Sequence, residues 1–189
     1  MIYFISDTHF NHHNILSYEP KSRPFKDVHD MNEYIIERWN ERITDEDDVY
    51  VLGDFFMGKL DEIEPILSRL RGRIHLIRGN HDTESDDFYI NQCGFTKVYE
   101  HPIVIENFWI LSHEPMYINK YFPYANIFGH VHGNPSYATF SSRHHCVCVE
   151  RIAFFPIPFD IVKATIAEED YKIRMTTKST YEENKFGKN

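Results

Sequence analysis

Short apolar runs separated by polar punctuation set the pattern of this chain. Positions 2–5, 49–52, 74–77, 103–105, 109–111 and 146–149 are each brief and apolar, and most are bounded by Gly, Asn, Asp or Pro. That pattern predicts buried strands. Ile127-Phe128, before Gly129, predicts the end of another. Between the first two runs, Met31, Ile35, Trp39 and Ile43 recur every four residues with Tyr34 alongside, while Glu33, Glu37, Asn40 and Glu41 fall off the stripe. Such spacing predicts a helix with one apolar face. Leu60, Ile63, Leu67 and Leu70 predict a second helix, closed by Gly72 after Arg69 and Arg71. Strand, helix, strand, helix, strand predicts an α/β layered fold. The later half, richer in strands and turns, predicts a mixed sheet or two packed sheets. Residues 168–189 are polar and predict a frayed tail or a short edge element.

Composition narrows the class. A chain of 189 residues suits one domain, or one domain with a tail. At that length folding buries roughly two-thirds of the extended chain's surface, so a core forms without disulfides. Hydrophobic residues at 42% and aromatics at 15% exclude a disordered chain. The net charge of -9 and the lack of a basic stripe disfavour binding to long nucleic acid. Some of those carboxylates serve solubility or hold cations. Cys93, Cys146 and Cys148 are odd in number and form no Cys-x-x-Cys pair, which suits small buried residues in a reducing compartment. The N-terminus has no basic region before its apolar run, and no stretch approaches a membrane span. The expected location is cytoplasmic.

Candidate chemistry gathers where the strands end. The first run leads into Asp7-Thr8-His9, the second into Gly53-Asp54, and the third into Gly79-Asn80-His81-Asp82. The run at 109–111 leads into Ser112-His113, and Ile127-Phe128 leads into Gly129-His130-Val131-His132. Any one block is weak, since a turn aspartate or a buried histidine is common. Five in order are hard to ascribe to chance, because a sheet sets such ends side by side and ligands bind outside them. Asp7, His9, Asp54, Asn80, His113, His130 and His132 exceed the three or four ligands of one tetrahedral zinc. Seven, with one carboxylate bridging, fit two ions. Mixed carboxylate, amide and imidazole donors suit Mn, Fe, Zn or Ni, and no cysteine belongs to the set.

These five blocks closely resemble the calcineurin-like metallophosphoesterase family over roughly residues 1–160, and Asp7-Thr8-His9-Phe10 with Arg23-Pro24-Phe25 resembles a small branch found in bacteria and phages. The resemblance implies an α/β four-layer sandwich, two packed mixed sheets flanked by helices, over residues 1–167, with 168–189 as a polar C-terminal tail. It also implies that Asp7, His9 and His132 hold one ion, that Asn80, His113 and His130 hold another, and that Asp54 bridges them. Two divalent ions per chain are expected, manganese favoured, with Fe, Zn, Ni or Mg as alternatives.

On this reading the chain is a metal-dependent phosphodiesterase or phosphomonoesterase. A hydroxide generated between ions about 3.5–4 Å apart attacks phosphorus in line. His81, not needed as a ligand, is the candidate general acid, and Asp82 would fix its tautomer. Its alternative is a turn residue bonded to the backbone. His12, Asn14 and Arg23 are candidate substrate contacts; Arg23 would reach a phosphate or form a salt bridge, and Asn14 would bind or cap a short helix. The aromatic run at 117–124 would be a lid that stacks a base, or a packed loop. His144-His145 is expected on an edge strand, and Pro156 and Pro158 on an extended segment. The expected partner is a small-molecule or nucleotide phosphate ester, with no membrane and no long nucleic acid; the oligomeric state stays open. Two other readings remain: a binding scaffold, which lost ligands would favour, and a single-metal amidohydrolase-like enzyme, which leaves several of the seven ligands unused.

Overall fold

Runs that are apolar at every position suit strands covered on both faces, and the first three runs form such strands. The computed structural model describes residues 1–119, 121–137 and 141–186. Its strands are β1 (Ile2–Ile5), β2 (Asp48–Leu52), β3 (Arg73–Ile77), β4 (Lys97–Tyr99), β5 (Ile103–Ile105), β6 (Trp109–Leu111), β7 (Ala125–Phe128), β8 (His144–Cys146) and β9 (Ile157–Pro158). The helices are α1 (Ile15–Tyr18), α2 (Val28–Arg42), α3 (Ile63–Leu67) and α4 (Phe159–Phe186). Two mixed sheets result, in the orders β4-β3-β2-β1-β9 and β5-β6-β7-β8. Among the described residues, only β9 and β5 run antiparallel to their neighbours.

Alternation along the central strands builds two cores. Tyr3, Ile5, Val49, Val51, Ile74 and Leu76 face α2 and α3, whereas Phe4, Leu52 and Ile77 meet Leu111 and Ile127 of the second sheet and Val147 just beyond it. α2 follows its sequence pattern: Asp27 caps it by accepting from the Asp30 amide at 2.9 Å, and Met31, Ile35, Trp39 and Ile43 are all buried.

Some expectations need correction. Leu60 is 46% exposed and belongs to a 3₁₀ turn, so the second helix is the five-residue α3. The strand expected at 146–149 is β8, ending at Cys146. Beyond it the chain passes between sheets: the Val147 amide donates to Phe128 of β7, and the Val147 carbonyl accepts from Ser6 beyond β1. The stretch from Glu168 continues α4 up to Phe186. β8, which carries His144-His145, is an edge strand, and so is β9, where Pro158 costs little. Among the described residues, no helix is long and apolar enough to cross a membrane.

Candidate functional site

All five sequence blocks arrive at one place, at the C-terminal ends of β1, β2, β3, β6 and β7. Asp54 lies centrally, with Oδ2 3.6 Å from His9 Nε2 and 3.5 Å from His113 Nε2. On one side, Asp7 Oδ1 lies 3.7 Å from His132 Nε2 and 4.0 Å from His9 Nε2. On the other, His113 Nε2 lies 3.1 Å from both Asn80 Oδ1 and His130 Nδ1. Two groups have ligand atoms mutually within 4.8 Å: Asp7, His9 and His132, and Asp7, Asp54 and His113. The first is the trio expected for one ion. In the second, Asp7 joins Asp54 and His113, and Asn80 and His130 attach through His113.

The backbone is bent to make this possible. Asp7, His9, Asp54, His130 and His132 all have φ between 47° and 70°. Left-handed conformations cost non-glycine residues about 1–3 kcal/mol each, and they persist at sites where the surroundings over-determine them. Two glycines give the room. Gly53 has φ +83°, and a Cβ on Gly79 would strike the Asp54 carboxylate and its amide. From α2, Asn32 accepts from the Asn11 amide at 3.1 Å and so holds another left-handed residue directly after the first motif.

Burial controls the electrostatics. Asp7 is fully buried, which raises its pKa although the charges of His113 and His132 oppose the rise. Its Oδ2 accepts from the His130 amide at 2.8 Å and the Cys148 thiol at 3.2 Å, but its Oδ1 has no hydrogen-bond partner. His9 Nε2 is likewise buried without a partner, and burial, ahead of the nearby cationic charges, drives the His9 pKa far down. Unsatisfied buried polar atoms are costly. A carboxylate oxygen and an unprotonated ring nitrogen facing one space are the donors a divalent cation needs, so the residues fit a metal site. His113 completes the pattern: its Nδ1 donates to the Leu52 carbonyl at 2.9 Å, which leaves Nε2 as the lone-pair atom facing the cluster.

The sequence matches the calcineurin-like phosphoesterase family over residues 1–187. The chain belongs to that family. This calcineurin-like phosphoesterase is 34% identical over 169 residues to the uncharacterized protein MJ1445 of Methanocaldococcus jannaschii, a match spanning 85% of this chain and 88% of that one. It is 35% identical over 85 residues to the Gene 66 protein of Mycobacterium phage D29, across 43% of this chain and 40% of the phage protein. A crystal structure of the Aquifex aeolicus protein of unknown function AQ665 superposes with a TM-score of 0.68 at 29% identity, covering 87% of this chain and 98% of that one. Family members use divalent metals, and the two ligand groups above are the candidates for holding them.

Within the phosphoesterase, Arg23 takes its salt-bridge alternative, buried and not at the surface, and Asp82 takes a role other than the expected one. Arg23 is only 1% exposed and is not placed to meet substrate. Its Nε donates to Glu150 Oε1 at 2.7 Å, its Nη1 to the Thr8 carbonyl at 3.1 Å, and its Nη2 to the Asp7 carbonyl. A guanidinium committed in this way braces the first metal motif from behind. Asp82 was expected to orient His81. Instead its oxygens accept from the Asp54 amide at 2.7 Å, the Gly79 amide at 2.8 Å and the Phe55 amide at 3.2 Å, tying the second and third motif loops together. The His81 ring is 41% exposed, with Nε2 3.9 Å from Asp54 Oδ2. His12 sits beside the cluster, its Nδ1 3.2 Å from His9 Nδ1. Asn14 precedes α1 with no side-chain cap bond, and it lines the same cavity as His12. Tyr117, Tyr121 and Phe122 are 86%, 79% and 56% exposed, so they are not packed into the core; Lys120 lies outside the described residues.

Glu150 is the residue that sequence reasoning missed. Its side chain is 1% exposed and accepts from His132 Nδ1 at 2.9 Å as well as from Arg23. Burial favours its neutral form, but the His132 hydrogen bond and the Arg23 charge outweigh that and hold its pKa below the usual carboxylate range. In return, His132 is raised: burial pulls it down, and the Glu150 bond with the Asp7 and Glu150 charges more than reverses this. The only sequence signal was an acidic residue shortly after an apolar run.

Proposed function

We propose that the chain hydrolyses phosphate esters at a two-metal centre, phosphodiesters ahead of monoesters, in nucleotide-type or other small substrates. Asp7, His9 and His132 would hold one ion, Asn80, His113 and His130 the other, with Asp54 between them. Manganese is the favoured metal. When bound, such ions polarise phosphoryl oxygens and bring the pKa of a water toward neutral. The water oxygen forms the new bond to phosphorus as the ester P–O bond opposite it breaks. The departing oxygen takes its proton from His81, whose ring is exposed beside Asp54. Asp82 and Arg23 keep the motif loops rigid, and Glu150 fixes the His132 tautomer so that Nε2 faces Asp7.

The observation that carries this reading is the pair of buried, unpartnered ligand atoms, Asp7 Oδ1 and His9 Nε2, facing one space. The test strips the metal, restores Mn²⁺, and compares an aryl phosphodiester with the matching monoester. Turnover should return with metal, be faster on the diester, and fall by more than about a hundredfold in Asp54→Asn. His81→Ala should cost on the order of 10²–10⁴ on a diester with a poor leaving group. Two bound ions without turnover of either ester would overturn the proposal in favour of a binding scaffold.

A further inference from the structure

A cavity of about 380 Å³ lies against the metal-ligand cluster, and the His81 ring opens into it. Its remaining walls include His12, Ile15, Tyr18, Glu19 and Met57. Resting on the phosphoesterase reading above, the geometry points to this cavity as the leaving-group pocket, shaped for an uncharged, flat alcohol such as an aryl or nucleoside group. The first reason is proton transfer. A general acid must come within about 2.6–3.2 Å of the oxygen it protonates, so the departing oxygen sits at His81 and its substituent fills the space beyond. A second cavity of about 390 Å³ flanks the other side of the cluster at Asn80 and His113, but His81 does not line it.

Chemistry of the walls gives the second reason. Ile15 and Met57 are apolar, and the His12 and Tyr18 rings meet edge to face at 6.0 Å. A thioether and an aromatic edge suit a planar group. Charge gives the third. Among the described residues lining the cavity there is no lysine or arginine, and it carries the Glu19 carboxylate, whose Oε2 accepts from the Ser22 hydroxyl at 2.6 Å. A leaving group with its own carboxylate or phosphate meets like charge at Glu19 and finds no lysine or arginine to pair with. The pocket therefore selects against nucleotides or oligonucleotides as leaving groups while accepting a nucleoside.

The experiment uses the full metal-loaded chain and two methyl phosphodiesters, one losing 4-nitrophenol and the other losing 3-carboxy-4-nitrophenol. The native chain should prefer the uncharged leaving group by about tenfold or more in kcat/KM, the size of one pocket contact. Met57→Lys should shift that ratio toward the carboxylated group by about tenfold, and Glu19→Gln should narrow it. Equal kcat/KM for both esters in the native chain, or a Met57→Lys effect of the same factor on each, would overturn the pocket while leaving the phosphoesterase reading standing. If neither ester turns over, calorimetric titration of the free phenols into the same chain decides. Binding of 4-nitrophenol that Met57→Lys weakens would uphold the pocket although the hydrolytic reading had failed, and no such binding would overturn it.

Discussion

Two groups meet on one carboxylate at Glu150, the Arg23 guanidinium and the His132 imidazole, and Arg23 links it to the Asp7 loop. Neutralising it removes the counter-charge of a buried cation and loosens the tautomer of a candidate ligand. Glu150→Gln should weaken metal affinity by roughly 10–100-fold, as loss of a supporting carboxylate does, and lower stability by about 3–5 kcal/mol. Metal titration calorimetry and urea unfolding measure the two effects, and unchanged metal affinity would remove Glu150 from the site. The contrast with Arg23 shows how far single residues are legible. Asp7, His9 and the other ligand candidates stand out because each follows an apolar run, which fixes both strand and direction. Arg23 and Glu150 are 127 positions apart, and nothing local tells a phosphate-binding arginine from one folded inward. The sequence therefore leaves Arg23 open between a phosphate contact and a salt bridge, and it gives no sign of Glu150 as the partner.

Elements were legible where their periodicity was strong. α2 carries an unbroken apolar stripe and was placed nearly to its ends. β4 has three residues and begins with lysine, and β9 is two residues containing a proline, so neither shows alternation long enough to notice. Phe159, Val162 and Ile166 of α4 do share a face against the core, but the polar residues that follow hide the helix. Strand pairing also brings charged partners together. Asp48 on β2 lies opposite Arg73 on β3, whose fork reaches both carboxylate oxygens at 2.8 and 2.6 Å. The Arg73 hydrogen bonds, helped by His75, hold the Asp48 pKa at about 2, below its ordinary 3.8. A depressed acid stabilises the fold fully above its unfolded pKa, and that contribution disappears as pH falls through the folded one. Asp48 is 30% exposed, so the pair should contribute less than about 1 kcal/mol. Asp48→Asn should thus be slightly less stable at pH 6, with the gap closing between pH 4 and pH 2. Urea midpoints across that range measure it, and a gap that widens on acidification would contradict the pairing.

At the scale of the whole molecule, the site is the place where both sheets run out. Parallel strands of one sheet deliver Asp7, His9, Asp54 and Asn80, and those of the other deliver His113, His130 and His132. The sequence made the strand ends visible but not the hand-over at Val147 and Cys148 that sets the second sheet against the first, because pairing across sheets leaves no periodic trace. That hand-over buries Asp7 beside Cys148, so the metal site and the junction of the two sheets share a residue. Ion binding should then act on the stability of the entire fold. A ligand at 100 times its dissociation constant adds about 2.7 kcal/mol to the folded state. For a chain of this size each kcal/mol moves Tm by roughly 2–4 °C, so each filled site should raise Tm by about 5–10 °C. Differential scanning calorimetry of the chelated chain with and without Mn²⁺ measures the shift. Asp7→Asn should abolish most of it while itself raising the Tm of the chelated chain, since it removes a buried carboxylate whose Oδ1 has no partner. A chelated native chain that melts at the temperature of the manganese-loaded one would mean that the carboxylate is satisfied without an ion, and the metal reading of the strand ends would fall with it.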